Sequence, residues 1–303
     1  MFIIGHIKDK KKSLDYLELK NSNGNTNAII YPQLGGSLQE LTLRDRTIIK
    51  KTSSLEYKKS YASAILFPFT NRLENGSYIF QKKQQTLQIN HEIENNAIHG
   101  LVYNKQFKVI NKQTTLDSAT ISLAYTENNR IKGFPFKYTI SLIYTLTNDV
   151  LKLDVIVKNN DEYDFPFGLG WHPYFWSDDL YNSCVKIKSN KRLIVNESNI
   201  PIKFDYTTLP EEILIKDQTF DNCFVLNNDV VGFKTSDYNI DISFSSKENY
   251  VQLYTPKDRN NIAIEPLTSP SNSFNNKIGL QILKPEDVYN LNWTIKLNHN
   301  HKN

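Results

Sequence analysis

The sequence predicts an all-β protein, organised as one large antiparallel β-sandwich. Three long segments alternate apolar and polar residues with a period of two, which is typical of strands with one buried face. Tyrosine (17 residues) and phenylalanine (16 residues) are plentiful, and aromatic side chains favour strands over helices. No linker rich in proline, glycine or serine divides the 303 residues and no internal repeat is evident, so we expect a single domain over residues 1–303.

The alternating segments lie in the middle and at the end of the chain. Apolar side chains occupy every second position of residues 138–146, and residues 151–158 repeat the pattern after Asn148-Asp149. These two segments therefore predict an antiparallel hairpin. The third segment covers residues 289–297, and a weak pattern within 53–65 predicts one short helix. Shorter strands are predicted at 26–31, 77–81, 85–89, 106–110, 119–125, 184–188, 239–244, 250–254 and 261–265.

Charge, cysteine content and hydropathy limit the classes of partner. The net charge is +4 and is spread along the chain, so we expect no nucleic-acid partner. Cys184 and Cys223 fit either a remote bridge or two reduced, buried thiols, and a cytoplasmic protein favours the thiols. No apolar run reaches the roughly 18 residues of a membrane helix, and the amino-terminal apolar run is too short for a signal peptide. We therefore expect a cytoplasmic protein without a membrane partner.

The segment Phe167–Phe175 carries the strongest single indication of function. His172 lies between Trp171 and Pro173, and Tyr174 follows the proline. The proline biases His172 toward an extended backbone. Trp171 and Tyr174 offer flat apolar faces with polar edges, which suit a hydroxylated ring. Because an imidazole gives or takes a proton near neutral pH, we interpret this segment as the centre of a sugar site. The alternative for a lone histidine is a structural hydrogen bond.

Four further polar residues lie where predicted strands end or turns begin. His99 lies between two predicted strands, Arg72 lies in a turn, Asp221 precedes an apolar strand, and Glu265 ends one. At the mouth of a β core, partial desolvation would raise the pKa of the Glu265 carboxylate, which would suit a general base. Each residue also has an ordinary structural role open to it: a buried histidine, a loop salt bridge with Glu74, a turn cap or a surface carboxylate. The histidines show neither HxH nor HExxH spacing, so no metal site is predicted.

Taken together, these motifs resemble those of the aldose 1-epimerase (galactose mutarotase-like) family in their order along the chain. Each motif is weak alone, but their ordered occurrence covers most of the sequence. The motifs are Gly35-Gly36-Ser37-Leu38-Gln39-Glu40-Leu41, Asn71-Arg72-Leu73 with Gly76, Ala97-Ile98-His99-Gly100-Leu101, His172-Pro173-Tyr174-Phe175, Asp221-x-x-Phe224, Ile264-Glu265-Pro266 and Leu283-x-Pro285-Glu286.

The resemblance implies a sandwich whose concave face holds one monosaccharide, with neither metal nor cofactor. Glu265 matches the catalytic base of the family and His172 its catalytic acid, which would interconvert the α and β anomers of a free hexose. His99 matches a second active-site histidine, and Arg72 and Asp221 match substrate-binding positions. We expect a monomer or a homodimer. The complete predicted site consists of the catalytic residues Glu265, His172 and His99 and the sugar-binding residues Arg72, Asp221, Asn71 and Trp171.

The sequence departs from the narrower galactose mutarotase pattern at three positions. Trp171 stands where asparagine is frequent, Leu101 follows Gly100 where a second glycine is frequent, and Glu286 follows Pro285 without the usual glycine. These changes leave the proton chemistry intact, but the resemblance does not identify the preferred sugar.

Three alternative functions stay open. A hexose-6-phosphate 1-epimerase would need further cations near the sugar. A glycosidase would use Asp221 and Glu265 as its pair of carboxylates. A carbohydrate-binding or sensing protein would need no acid and base at all, so the retention of His172, His99 and Glu265 argues against it.

Overall fold

The computed structural model describes residues 1–9, 14–50, 57–206, 209–246 and 249–299 of the chain. Regular structure in these ranges is almost entirely β, and the paired strands run antiparallel. The predicted fold class, an antiparallel β-sandwich, is therefore confirmed.

The largest sheet among the described residues has nine strands and contains the three long alternating segments. Its strands are, from one edge to the other, Lys108–Thr114, Ala119–Glu127, Tyr138–Leu146, Val150–Asn159, Val288–Leu297, Asn239–Phe244, Val230–Lys234, Cys184–Lys186 and Glu212–Leu214.

An eight-stranded sheet carries most of the candidate site. Seven of its strands follow one another in the order Pro201–Tyr206, Lys191–Val195, Asp221–Val225, Tyr250–Tyr254, Asn261–Leu267, Gly170–Trp171 and Ile65–Leu66. The eighth, Tyr174–Trp176, pairs with Asn261–Leu267.

The remaining elements are smaller. A five-stranded sheet contains Phe2–Asp9, Leu14–Asn21, Asn27–Tyr31, Ser37–Leu43 and Arg46–Ile49 in chain order. Three strand pairs join Arg72–Glu74 to Asn96–Ile98, Phe165–Phe167 to Gln281–Leu283, and Ser77–Phe80 to Lys83–Thr86. The helices found in the described ranges are Tyr57–Ser60, Ser273–Asn276 and the 3₁₀ turn Glu92–Glu94. Of the helix predicted within 53–65, residues 57–60 are helical, and residues 51–56 lie outside the described residues.

The predicted central hairpin is confirmed in register and in burial. Strands Tyr138–Leu146 and Val150–Asn159 pair from Tyr138 opposite Asn159 to Leu146 opposite Leu151. Buried and partly exposed side chains alternate along both strands. The period-two pattern thus buries one face of the hairpin, at a gain of about 1.5–3 kcal/mol for each large apolar side chain.

The nine-stranded and eight-stranded sheets pack face to face. Trp171 from the smaller sheet stacks on Trp293 from the larger one with ring centroids 6.0 Å apart, and Phe175 contacts Phe233 at 6.2 Å. The eight-stranded sheet therefore has one face in the core, and its other face is available for polar chemistry.

Two further findings concern the cysteines and the helices. Cys184 and Cys223 are both buried and unbridged, as the thiol interpretation predicted. No helix within the described ranges has the length and apolar character needed to cross a bilayer.

Candidate active site

A cavity of about 660 Å³ lies over the polar face of the eight-stranded sheet. This volume falls within the range of roughly 300–1,000 Å³ that is usual for small-molecule sites. Six of the seven predicted site residues line the cavity, although they come from five separate parts of the chain: Asn71, Arg72, His99, His172, Asp221 and Glu265.

Strand Asn261–Leu267 positions Glu265. Ile262 and Ile264 are fully buried, whereas Asn261 and Glu265 line the cavity on the opposite face. This division follows from the alternation of side chains along a strand. The Glu265 side chain is itself only 2 % exposed, and Gln252 lies directly opposite it on the neighbouring strand. Regular strand pairing therefore fixes the position of the Glu265 carboxyl group, and burial removes most of the water around it.

His172 contacts the Glu265 carboxyl group directly. Its Nε2 lies 3.4 Å from Glu265 Oε1, and its ring stacks on Tyr174 with centroids 5.0 Å apart. Its backbone N–H donates to Ala64 O at 3.1 Å, and its carbonyl accepts from Ser63 N at 2.8 Å. The imidazole and the carboxyl group thus form one contacting pair inside the cavity.

His99 reaches the same pair through an unusual backbone conformation. Its φ of +63° is left-handed, and its N–H donates to Asn71 O at 2.8 Å. Its ring lies 5.1 Å from that of His172. The next residue, Gly100, has a φ of +73°, and a Cβ there would lie 2.3 Å from the carbonyl oxygen of Phe67. Glycine is therefore required beside His99.

Arg72 is fixed by Glu94, not by the Glu74 suggested from sequence. Its Nε and Nη2 donate to the two Glu94 oxygens at 2.5 and 3.0 Å, and its Nη1 donates to Asn71 Oδ1 at 2.9 Å. Arg72 Nη2 also lies 3.8 Å from Asp221 Oδ2. A two-point contact between guanidinium and carboxylate fixes the plane of the arginine.

Gln252 lies on the strand between the strands that carry Asp221 and Glu265. The Gln252 Nε2 donates to Asp221 Oδ1 at 2.6 Å. Burial raises the pKa of Asp221, and the charge of Arg72 opposes that rise. Asp221 therefore belongs to a polar network that lines the cavity. It is not merely a residue that caps a turn.

Burial controls the protonation of the central groups. It raises the pKa of Glu265 well above its ordinary value, with Asp221 adding to the rise and Arg72 opposing it. It lowers the pKa of His172 to about 4. It also lowers the pKa of His99, together with the nearby charges of His172 and Arg72. At neutral pH both imidazoles are therefore neutral, and a proton shared between His172 and Glu265 favours the carboxyl group.

Several buried polar atoms at the cavity make no hydrogen bond to the described protein. They include Glu265 Oε2, His172 Nδ1, His99 Nδ1 and Asn261 Oδ1. Buried polar atoms are normally hydrogen-bonded, so such a group of atoms indicates a site that binds a polar ligand. Within the described ranges, no three His, Cys, Asp or Glu side chains are grouped so as to hold a metal ion.

Trp171 does not line the cavity, and its prediction as a sugar-binding residue is wrong. The side chain is fully buried in the core and stacks on Trp293. The reason is the alternation of side chains: His172 points into the cavity, so its neighbour Trp171 points to the other face of the sheet. Tyr174, two residues beyond His172, is the aromatic residue of this segment that lines the cavity.

The sequence reasoning missed three residues that shape the site. Gln252 and Tyr254 lie in a strand that was predicted, and a glutamine inside an otherwise apolar strand was a usable signal. Glu94 lies in the 3₁₀ turn Glu92–Glu94 and meets Arg72 only through the fold. No local pattern distinguishes Glu94 from a surface glutamate.

The fold and the cavity together define a class: an antiparallel β-sandwich with a buried carboxyl–imidazole pair on one sheet face. The model of the aldose 1-epimerase family matches residues 16–296, and the chain belongs to this family of isomerases. The family resemblance noted from the sequence motifs is therefore confirmed.

Individual relatives are distant in sequence. The Escherichia coli (strain K12) protein YihR is 25% identical over 276 residues, which cover 86% of this chain and 87% of that protein. The maltose epimerase of Levilactobacillus brevis is 26% identical over 196 residues, covering 60% of this chain and 56% of that enzyme.

Solved structures agree over almost the full length. A galactose mutarotase-like protein from Clostridium acetobutylicum has a TM-score of 0.87 at 22% identity, covering 98% of this chain and 99% of that one. The galactose 1-epimerase of Lactobacillus acidophilus NCFM has a TM-score of 0.82 at 15% identity, covering 99% and 100%. At these identities the agreement is one of fold.

Proposed function

We propose that this protein interconverts the α and β anomers of a free reducing sugar, with Glu265 as base and His172 as acid. The observation that carries the proposal is the 3.4 Å contact between Glu265 Oε1 and His172 Nε2 inside a cavity where each residue keeps a second polar atom unpaired. One carboxyl group and one imidazole are the two proton carriers that the reaction needs.

The reaction proceeds by ring opening and closure. The Glu265 carboxylate takes the proton of the C1 hydroxyl, the C1–O5 bond breaks with its electron pair going to O5, and His172 donates a proton to O5. The product is the open-chain aldehyde, with Glu265 protonated and His172 neutral. Rotation about C1–C2 and reversal of both proton transfers give the other anomer, so no proton is gained or lost overall.

The burial of the pair favours the ring-opened stage. Because the resting pair holds its one proton on Glu265, that proton first moves to His172 across their 3.4 Å contact. The ring then opens from the carboxylate–imidazolium form, and the open aldehyde faces two neutral groups. Burial raises the pKa of Glu265 and lowers that of His172 to about 4, so the neutral arrangement is favoured. Desolvation therefore drives both proton transfers in the direction of ring opening.

Neighbouring residues hold the sugar. Arg72, fixed by Glu94, and Asp221, fixed by Gln252, present a donor and an acceptor to the ring hydroxyls. His99 is neutral and lies beside His172, so it can donate to an oxygen on which charge develops. Relatives that bear a name act on galactose and on maltose, and we propose the same class of free reducing sugars here.

The alternatives have less support. A hexose phosphate needs cations, but the two lysines that line the cavity, Lys59 and Lys257, are exposed, and the carboxyl group of Asp258 lines the same cavity. Neither a glycosidase that uses Asp221 and Glu265 nor a purely binding protein requires the direct contact between Glu265 and His172. We also propose that the protein works without a metal or cofactor, because His172 and Glu265 supply both proton transfers.

Polarimetry of freshly dissolved α-D-glucose and α-D-galactose tests the proposal. We expect the wild type to accelerate mutarotation, and Glu265→Gln to lose about 10²–10⁴-fold because it cannot accept the C1 proton. Glu286→Gln is the matched control, since this glutamate is exposed and pairs with Lys158 at the surface.

Each failure has its own meaning. A Glu265→Gln variant as fast as the wild type would show that the base is another residue. Sugar binding in calorimetry without any acceleration by the wild type would favour a binding protein. Faster turnover of glucose 6-phosphate than of glucose would favour the phosphosugar alternative.

A further inference from the structure

The cavity is longer than the group of residues that handles the anomeric centre. Glu265 and Asn261 both line it, and they lie on the same face of one strand, four residues apart. At about 3.4 Å per residue in an antiparallel sheet, the two positions are separated by about 13 Å. A single pyranose ring is shorter than this distance, so a monosaccharide at Glu265 leaves the Asn261 end uncovered.

Two tyrosines form the floor between these ends. Tyr174 and Tyr254 lie opposite Ala263 on its two neighbouring strands, so the three side chains form one row across the sheet. The small Ala263 is fully buried beneath the rings, and the Tyr174 hydroxyl donates to Ser60 O at 3.1 Å. The row is therefore an aromatic surface with a fixed ring, of the kind that packs against the C–H face of a sugar.

Asn261 lies beyond this row as a polar group with no partner. Its side chain is 7 % exposed, and its Oδ1 accepts no hydrogen bond from the described protein. A buried amide oxygen left unpaired costs about 1–3 kcal/mol, so its retention indicates a hydrogen-bonding ligand at this place.

The charge at this end disfavours an anion. Burial raises the pKa of Tyr174 well above its ordinary value, and the carboxylates of Glu265 and Asp258 add to the rise. Asp258 also contributes to the raised pKa of Tyr254, after burial and Asp221. The charge of Arg72 opposes the rise at Tyr254. The aromatic row thus has acidic neighbours, which suit a neutral polyhydroxylated group better than an anion.

We propose that the Asn261 end of the cavity binds a second glycosyl ring, so that the preferred substrate is a reducing disaccharide. The proposal rests on the mutarotase function above and specifies its substrate class. The reducing ring lies at Glu265 and His172. The glycosidic substituent, on an oxygen remote from C1, lies over Tyr254 and donates a hydroxyl proton to Asn261 Oδ1.

Anomer exchange measured by NMR at equilibrium tests this substrate class. The rates for maltose, cellobiose and lactose are compared with those for glucose and galactose as ratios of kcat/KM. We expect at least one disaccharide to exceed both monosaccharides. We expect Asn261→Leu, which keeps the shape but removes the acceptor, to lower that ratio about tenfold.

A neighbouring asparagine gives the matched control. Asn260 is exposed and does not line the cavity, so Asn260→Leu should leave the ratio unchanged. If Asn261→Leu does not fold, as judged by circular dichroism, Asn261→Ala takes its place.

The outcomes separate this inference from the proposed function. If the wild type accelerates monosaccharides but no disaccharide exceeds them, or if Asn261→Leu leaves the ratio unchanged, the second-ring site is refuted and the mutarotase function stands. If glucose 6-phosphate exceeds every disaccharide, the far end is a phosphate site and the inference is wrong. If no sugar is accelerated, both proposals fail.

Discussion

Glu94 provides a sharp test of how the sugar is held, because it binds Arg72 but does not itself line the cavity. It accepts from Arg72 at 2.5 and 3.0 Å and from Asn199 at 2.8 Å. In Glu94→Gln, one oxygen still accepts from Arg72 Nη2 and Asn199, but the new amide N–H₂ faces Arg72 Nε, which is also a donor. One charge-assisted hydrogen bond is lost.

The expected size of the effect follows from that bond. A hydrogen bond to a charged group contributes about 1.5–3 kcal/mol. Because the Arg72 and Glu94 side chains keep 17% and 14% exposure, we use the lower end of that range. A loss of about 1.5 kcal/mol in sugar binding corresponds to a rise in KM of about tenfold, with little change in kcat.

Steady-state anomer exchange over a range of glucose concentrations measures KM and kcat separately and so tests this expectation. Glu92→Gln, an exposed neighbour on the same 3₁₀ turn, is the control and should behave as the wild type. If Glu94→Gln keeps the wild-type KM, or if it lowers kcat alone, Arg72 is not held for the sugar by Glu94.

Three further predictions concern the proton pair and the core. The profile of kcat/KM against pH should be bell-shaped, because the pair of His172 and Glu265 works with one proton. Its acid limb should lie near pH 4, where His172 gains a second proton for the pair, and the alkaline limb should lie well above the ordinary range of a carboxyl group. An acid limb at the usual pKa of histidine would contradict the assignment. Trp171→Ala should lower the free energy of unfolding in urea by about 3–5 kcal/mol, because it leaves a cavity in the core. A raised KM with an unchanged free energy of unfolding would instead show that Trp171 contacts the sugar. Gly100→Ala should destabilise by at least about 1–3 kcal/mol, because its Cβ would meet a backbone oxygen, whereas Gly24→Ala should cost less since nothing lies within 4 Å of its Cβ. Equal losses in urea unfolding would refute the steric argument.

The fold was predictable because its strands follow a local rule. The alternation in 138–146 determines which side chains are buried, and the same face is buried in the structure. The assignment of strands to sheets was not predictable in this way. Gly170–Trp171 is only two residues long, yet it links Asn261–Leu267 to Ile65–Leu66 through contacts far apart in sequence.

The candidate site was predictable to the extent that its residues lie in recognisable motifs. His172 and Glu265 were found through motif order, and the structure brings them into contact. The environment of each residue required the fold. Trp171 was placed on the sugar because aromatic residues near a histidine suit carbohydrate, but the strand period turns it into the core. Glu94 could not be found, because only the pairing of two distant strands brings it to Arg72.

The central claim is that Glu265 and His172 both reach the anomeric centre, Glu265 at O1 and His172 at O5. A crystal structure of the Glu265→Gln variant soaked with glucose tests it directly. We predict that the substituted side chain lies within about 3 Å of O1 and that His172 Nε2 lies at a similar distance from O5, the reach that proton transfer requires. A sugar bound with C1 toward Asn261, or with His172 facing a hydroxyl remote from O5, would contradict the claim.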